Sequence, residues 1–346
     1  MRPAPLIPKT LTPPVRRPLR VIQYGLGAIG QATARLIVQK SSAQLVGAID
    51  IDPAKVGRDL GEVLGLDKHF GVLVSNKPAD VFLRPRADVV IHTTGSRVPE
   101  VFPQLMQIVE AGLHCVTSAE EMSFPFLKHA ALMEKLDAAA RQHDVTVLGT
   151  GVNPGFVMDA LPVLLTAASQ RVDEVRITRV VDVSTRRPQL QKKVGVGITI
   201  GECEEMMRQG KFGHIGLSES AALVAHAMGW RHATVQEETK LLLEEIADKK
   251  SKSKTEPRVK GIAQTATAKM LDRVRVTLNL EMSVGAHNPR DEIEILGVPP
   301  IRVLVPDGIA GDLATPAILV NTAPYLLEAA RGVLTVLEVQ SPRLAL

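Results

Sequence analysis

Residues 19–30 read Leu19-Arg20-Val21-Ile22-Gln23-Tyr24-Gly25-Leu26-Gly27-Ala28-Ile29-Gly30, and Asp50 follows 20 residues after the last glycine. The first six residues form a short β-rich run. The three glycines are spaced G-x-G-x-x-G, and Ile29–Gln39 continues at helical period. Each glycine has a mechanical use in such a strand–turn–helix. Gly25 permits the tight turn, Gly27 lets the backbone approach a pyrophosphate, and Gly30 lets the helix pack closely on the strand. The helix N-terminus adds N–H groups and positive potential. An acidic residue at the end of the next strand, Leu45–Ile49, accepts hydrogen bonds from ribose hydroxyls. The spacing thus predicts a dinucleotide-binding βαβ unit, with Gly25, Gly27, Ala28, Ile29, Gly30 and Asp50 around the cofactor.

Working outward, short apolar runs continue to alternate with helical stretches. Lys55–Leu64 is helix-like, Asp88–His92 a strand, Pro99–Ala111 a helix, His114–Thr117 a strand, Pro125–His143 a helix and Val145–Leu148 a strand. That rhythm predicts a Rossmann-type, doubly wound parallel sheet over 19–154. After Gly155 it changes. Val172–Val183, Val259–Val284 and Glu292–Val305 read as long alternating strands, with a helix at Ser218–Met228, so a second α+β domain with a mixed or antiparallel sheet is expected over 155–314. Thr315–Leu337 reads as helix broken by Pro316 and Pro324, making 315–346 a helical segment that packs back on the first domain. Residues 1–18, with six prolines, are read as a flexible arm.

Composition narrows the function classes. A chain of 346 residues exceeds the usual single-domain size. Its formal charge of +4 and pI near 9.1 suggest an anionic partner until the charges are located. Arg2, Lys9, Arg16 and Arg17 stand in the first 18 residues with no acid, so the remainder is neutral. A second basic run, Lys249–Lys260, reads as a solvated loop or hairpin tip. With aromatics at 3%, nucleic-acid binding is disfavoured. No apolar run is long enough for a membrane-spanning helix. Two cysteines, Cys115 and Cys203, fit a reducing cytoplasm, and no histidine or cysteine spacing points to a metal.

The expected carboxyl ends of the strands carry small and polar residues: His92-Thr93-Thr94-Gly95-Ser96, Thr117-Ser118-Ala119-Glu120-Glu121 and Gly149–Gly155. Those ends are where an open α/β sheet binds its ligand. Thr93, Thr94, Gly95 and Ser118 are therefore cofactor candidates, with helix capping as the competing use of the hydroxyls. Asp50 and Asp52 repel a 2′-phosphate and favour NAD, while Lys55 and Arg58 keep NADP open. The titratable groups at the strand ends are Glu120 and Glu121. Neighbouring side chains diverge, so one of the two faces the cleft. A carboxylate there suits a cationic substrate, holding an ammonium group and accepting its proton. A charge placed against a helix N-terminus is the bland alternative.

The motifs "IDIDPAKVGRDLG", "TSAEEMSFP", "GTGVNPGFVMDALP", "VVDVSTRRPQLQKKVG", "GHIGLSES" and "GDLATPAILVN" resemble the 2,4-diaminopentanoate dehydrogenases and the related native amine dehydrogenases, a group with a dihydrodipicolinate-reductase-like N-terminal domain. The resemblance implies reversible NAD(P)-dependent oxidative deamination of an amine to a ketone or aldehyde plus ammonia. It implies a catalytic role for Glu120, with Glu121 as the alternative. Asn153 would fix the nicotinamide end, Asn321 would join the cofactor set, and Val152, Phe156, Thr185 and His214 would line the substrate pocket. Arg186 or Arg187 is the candidate partner for a substrate carboxylate. The absence of a His-His pair disfavours dihydrodipicolinate reduction, and Ala119 stands where many relatives are expected to carry cysteine. A cytoplasmic homodimer is expected. The competing readings are an amino-acid dehydrogenase, such as one acting on 2,4-diaminopentanoate, a semialdehyde reductase, and a nucleotide sensor without turnover.

Overall fold

The computed structural model describes residues 17–83, 87–184, 186–210, 212–244, 258–340 and 342–344. The chain forms two compact units. The first takes its described residues from Met1–Met122, His129–Thr150 and Asp312–Leu346, and the second from Ser123–Lys128 and Gly151–Gly311.

The first unit opens with β1 (Leu19–Tyr24), of which every residue but Arg20 is buried, as a strand covered on both faces requires. Helix α1 (Ala28–Val38) buries Gly30, Thr33, Ala34 and Ile37, an i, i+3, i+4, i+7 stripe. There follow β2 (Ala43–Ile49), α2 (Leu60–Leu64), β3 (Val74–Ser75), α3 (Pro78–Phe82), β4 (Val89–His92), α4 (Val98–Glu110), β5 (His114–Thr117), a 3-10 turn at Glu120–Ser123, α5 (Phe126–Gln142) and β6 (Thr146–Gly149). Residues 55–58 turn out to be a turn rather than helix. Pro53 and Gly57, the latter at φ +82°, break the pattern, and α2 starts only where the Asp59 side chain accepts the Gly61 N–H.

The second unit comprises α6 (Ala160–Leu165), β7 (Arg171–Asp182), α7 (Pro188–Lys193), α8 (Ile200–Arg208), α9 (Leu217–Ala227), β8 (Thr234–Leu243), β9 (Val259–Met270), β10 (Arg273–Ser283), β11 (Arg290–Val298) and β12 (Ile301–Pro306). Its sheet runs β12-β11-β7-β10-β9-β8, with β7 and β10 parallel and the other pairs antiparallel. Of the three stretches read as long strands, Val172–Val183 is the single strand β7, while Val259–Val284 and Glu292–Val305 are each a hairpin. Leu271 and Asp272, at φ +50° and +62°, make the two-residue turn between β9 and β10. Helix α9 packs across β8, β9 and β10, and its buried run Leu217–Ala225 uses serine and alanine to fit there. A buried ion pair lies in this sheet, Arg179 Nη1 to Asp291 Oδ1 at 2.6 Å. Arg179 Nη2 also donates to Ile309 O, and Asp291 Oδ2 accepts Ile309 N. Residues 245–257, most of the basic run, lie outside the described residues between the antiparallel β8 and β9.

The chain then re-enters the first unit through α10 (Gly311–Thr322), a 3-10 segment at Ala323–Leu327 and β13 (Gly332–Leu334). The last stretch is therefore not helical to Leu337: β13 pairs with β6 in parallel. The first sheet is fully parallel in the order β13-β6-β5-β4-β1-β2-β3, the doubly wound Rossmann order with one added strand. One face packs under α1 and the returning segment through Leu26, Ile37, Leu319 and Leu326. The other packs under α4 and α5 through Val101, Leu105, Ile108, Met133 and Leu136. The strand order reverses between β1 and β4, so the crevice for a ligand opens at Tyr24-Gly25 and His92-Thr93.

Candidate active site

The glycine turn after β1 separates into packing and open positions. Gly25 adopts φ +91°, and a Cβ on it would lie 2.7 Å from Thr93 O. On Gly30 a Cβ would meet Gly25 O at 1.9 Å, so only glycine lets α1 approach the turn. Gly27 differs. It is exposed, it caps the N-terminus of α1 with no side-chain bond, no acidic residue stands in the first turn, and a Cβ there would enter open space. That space beside uncapped helical N–H groups fits the pyrophosphate of a dinucleotide. Ala28 and Ile29 follow on the same rim. Beneath the turn, buried Gln23 donates from Nε2 to Gly25 O and to Thr93 Oγ1, both at 2.9 Å, and Thr93 Oγ1 donates to Gly25 O at 3.0 Å. Gln23 was missed in the sequence reading, though a polar residue inside an apolar strand was its visible signal.

Asp50 directly follows β2, with Oδ2 accepting Leu26 N at 2.6 Å and Oδ1 accepting Asp52 N at 2.8 Å. Lys55 Nζ lies 3.0 Å from Asp52 Oδ2 and 3.7 Å from Asp50 Oδ1. The Ala54 N–H and Lys55 hold the Asp52 carboxyl below its ordinary range. Arg58 is engaged with Glu62 at 3.2 Å.

At the ends of β4 and β5, His92 is a fully buried hub. Its Nε2 lies 2.7 Å from Gln104 Oε1, which can only accept, so Nε2 carries the proton and Nδ1 accepts from Thr117 Oγ1 at 2.8 Å. Burial pushes the imidazole pKa down to about 4, so the ring is neutral. Thr94 Oγ1 joins the same network, and a Cβ on Gly95 would sit 3.1 Å from Val101 Cγ1. Ser118 is half-buried and its N–H donates to His92 O.

The two acids differ in their surroundings. Glu120, half-buried, heads the 3-10 turn after β5. Glu121 is only 4% exposed, and its Oε2 accepts Val98 N at 2.8 Å and His129 Nε2 at 3.0 Å, with Arg97 Nη1 at 3.5 Å from Oε1. It therefore caps α4, a helix whose own N-cap residue, Arg97, does not cap the first turn with its side chain.

In the second unit, Val152 is buried, Phe156 is half-buried, and Asn153 presents a buried Oδ1 with no hydrogen-bond partner among the described residues. An amide acceptor of that kind suits the N–H2 of a carboxamide. The loop is anchored by Asp159, not anticipated from sequence. Its carboxylate accepts Gly155 N, Ala160 N and Ser220 Oγ at 2.7–2.8 Å, and burial nevertheless raises its pKa. His214 lies in a separate loop before α9, where the Gln264 amide clamps its peptide: Oε1 accepts His214 N and Nε2 donates to His214 O. Thr185 lies outside the described residues, and Asn321 is half-buried in α10. The structure thus gathers the predicted glycines, Asp50, Thr93, Thr94, Gly95, Ser118 and Glu120 along the carboxyl edge of the first sheet.

Residues 156–346 match the family model for the 2,4-diaminopentanoate dehydrogenase C-terminal domain, and residues 19–119 match that for the dihydrodipicolinate reductase N-terminus. The chain belongs to the 2,4-diaminopentanoate dehydrogenase family. Among its relatives, the 2,4-diaminopentanoate dehydrogenase of Acetoanaerobium sticklandii is 28% identical over 342 residues, spanning 94% of each chain. An amine dehydrogenase of Streptomyces virginiae is 29% identical over 172 residues, 48% of this chain and 47% of that one. The solved amine dehydrogenase from Mycobacterium smegmatis superposes with a TM-score of 0.81 at 26% identity, covering 94% and 97% of the two chains. Family membership and the doubly wound sheet together make the protein an NAD(P)-type oxidoreductase.

Proposed function

We propose that the protein is an amine dehydrogenase that converts a primary amine, NAD(P)+ and water into a carbonyl compound, ammonia and NAD(P)H, and runs in reverse as a reductive aminase. The observation that carries this reading is Glu120. It is a half-buried carboxylate at the carboxyl end of β5, on the same sheet edge as the glycine turn, and its neighbour Glu121 is already engaged by Val98, Arg97 and His129. A bound nicotinamide supplies the hydride acceptor. Glu120 takes a proton from the substrate ammonium, which frees the nitrogen lone pair to expel hydride from the adjacent carbon. The same carboxylate, once it has shed that proton, takes another from the water that attacks the iminium carbon. Each deamination of an ammonium substrate releases one net proton alongside ammonium. Glu120→Gln should lower amine oxidation by about 10²- to 10⁴-fold while NADH binding persists. Unchanged turnover in that variant would remove the proposal, and a pure nucleotide sensor would bind NADH with no turnover in either form.

NAD is the favoured dinucleotide. A carboxylate just past the second strand, as Asp50 is, would repel a 2′-phosphate, and the nearby cations Lys55 and Arg58 are paired with carboxylates. Two buried thiols, Cys115 and Cys203, accord with a cytoplasmic enzyme, and the exposed side of the mixed sheet is the proposed face of a homodimer.

A second reading, an amino-acid dehydrogenase of the 2,4-diaminopentanoate type, is favoured by one feature. A Cβ on Gly311 would lie 3.4 Å from both Arg186 Nη2 and Val152 Cγ1, which brings a guanidinium beside a candidate pocket residue. Arg187, Lys192 and Lys193 add positive charge nearby in sequence. A bare alkylammonium is repelled by such a cluster, whereas a carboxylate is attracted. A reductive-amination screen with ammonia and carbonyl compounds, with and without a carboxylate, separates the two readings.

A further inference from the structure

We infer that Glu121 and His129 form a positioning strut that fixes the turn bearing Glu120, an inference that rests on the proposed role of Glu120. Two segments, one before and one after it in sequence, converge on the Glu121 carboxylate. From the N-terminus of α4, Val98 N donates at 2.8 Å and Nη1 of the N-cap residue Arg97 stands at 3.5 Å. From the first turn of α5, His129 Nε2 donates at 3.0 Å. The main chain adds a further tie, because Glu121 N donates to Ser96 O at 3.1 Å. The Glu121 side chain is 5% exposed, so these donors replace water rather than compete with it, and a charged acceptor makes them stronger than neutral bonds.

The position of His129 explains how it reaches the carboxylate. Helix α5 is broken there, with φ −128° and ψ +34° inside an otherwise helical run. The break coincides with a change of unit. The chain leaves the first unit after Met122, spends Ser123–Lys128 in the second, where Lys128 pairs with Glu219 at 2.8 Å and Phe124 packs on His226, and returns at His129. Glu121 and His129 therefore tie together the points where the chain leaves and re-enters the first unit. On the other side of the turn, a Cβ on Gly149 would meet the Met122 backbone at 2.3 Å, so the end of β6 lies directly against it. Glu120 is one residue from the strut, and both neighbours of its turn are clamped. A carboxylate that must reach one nitrogen and then one water needs its backbone held in this way, because a displacement of about 1 Å can cost on the order of 100-fold in rate.

The test uses the full-length enzyme and the variants Glu121→Gln, His129→Gln and their combination, beside Glu120→Gln. The strut predicts that Glu121→Gln lowers kcat by about 10- to 100-fold with the cofactor Kd and amine KM unchanged. His129→Gln acts in the same direction with a smaller effect, and the combined variant is no slower than Glu121→Gln, because the two residues act through one contact. Amide hydrogen exchange across Glu120–Ser123 and at Val98, read in the free protein, should be faster in both single variants. The strut is overturned if kcat and exchange both stay at wild-type values. It is also overturned if the two losses multiply, or if Glu121→Gln matches Glu120→Gln in inactivity while exchange is unchanged, which would make Glu121 itself the proton acceptor. Should Glu121→Gln fail to fold, His129→Gln alone decides by the same two readouts. A wild-type enzyme that turned over no amine would sink the proposed function, while the exchange experiment would still decide the strut.

Discussion

Asp50 Oδ2 accepts the backbone N–H of Leu26 at 2.6 Å, tying the end of β2 to the middle of the glycine turn. One carboxylate thus supports the glycine turn and, in the proposed function, would also take the ribose hydroxyls. Asp50→Ala should weaken NAD binding by about 10- to 100-fold, the worth of a hydrogen bond to a charged group, and weaken NADP binding less. Isothermal titration with both dinucleotides checks it. An unaltered NAD-to-NADP ratio would contradict the assignment.

Gly27 and Gly30 should respond oppositely to the same methyl group. Gly30→Ala places Cβ 1.9 Å from a backbone oxygen and should destabilise the fold by more than about 2 kcal/mol. Gly27→Ala meets open space at φ −67° and should cost no more than about 1 kcal/mol, yet it blocks the approach of a pyrophosphate. Urea unfolding paired with NADH fluorescence titration distinguishes the two, with the unfolding midpoint lost in one variant and the affinity lost in the other.

His92 makes the protein acid-sensitive. Its folded pKa of about 4 lies below the ordinary 6.5, so between those values the unfolded chain binds more protons than the native one. Stability is complete above pH 6.5 and is lost as the pH falls towards 4, by up to about 3 kcal/mol from this residue. His114, lowered to about 4 by burial first and by Arg331 second, acts in the same direction. Unfolding free energies measured from pH 8 to pH 4.5 should slope accordingly, and His92→Gln should flatten the curve.

The Arg179–Asp291 pair predicts an asymmetric double-mutant cycle. Asp291→Ala leaves a buried guanidinium without its partner and releases Ile309 N, which should cost about 3–5 kcal/mol. Replacing both residues with apolar side chains should recover much of that loss. Denaturant unfolding of the two single variants and the double variant measures the difference.

How much of this was readable in the linear chain depends on how local each cause is. The strand Leu19–Tyr24, the glycine turn and Asp50 are dictated by near neighbours: steric demands on two glycines and a buried central strand are written within 32 residues. β8 was invisible because Thr234–Leu243 lies at the edge of its sheet and alternates poorly, and β13 because three residues cannot show a period. The different surroundings of Glu120 and Glu121 could not be read from the residues themselves. What engages Glu121 comes from Val98 and His129, 23 residues before and 8 after, and nothing in the dipeptide itself encodes those partners. The same is true of Asp159, whose donor Ser220 is 61 residues away.

Because β13 pairs along β6 only after Gly151–Gly311 has been translated, the parallel sheet is a host whose edge is completed late in synthesis. The inserted β-rich unit can emerge from the ribosome and mature while its host still waits for a closing strand. A stalled or shortened translation product would then present an unfinished strand edge at β6, the kind of surface chaperones capture, even though every residue of the glycine turn had already been made.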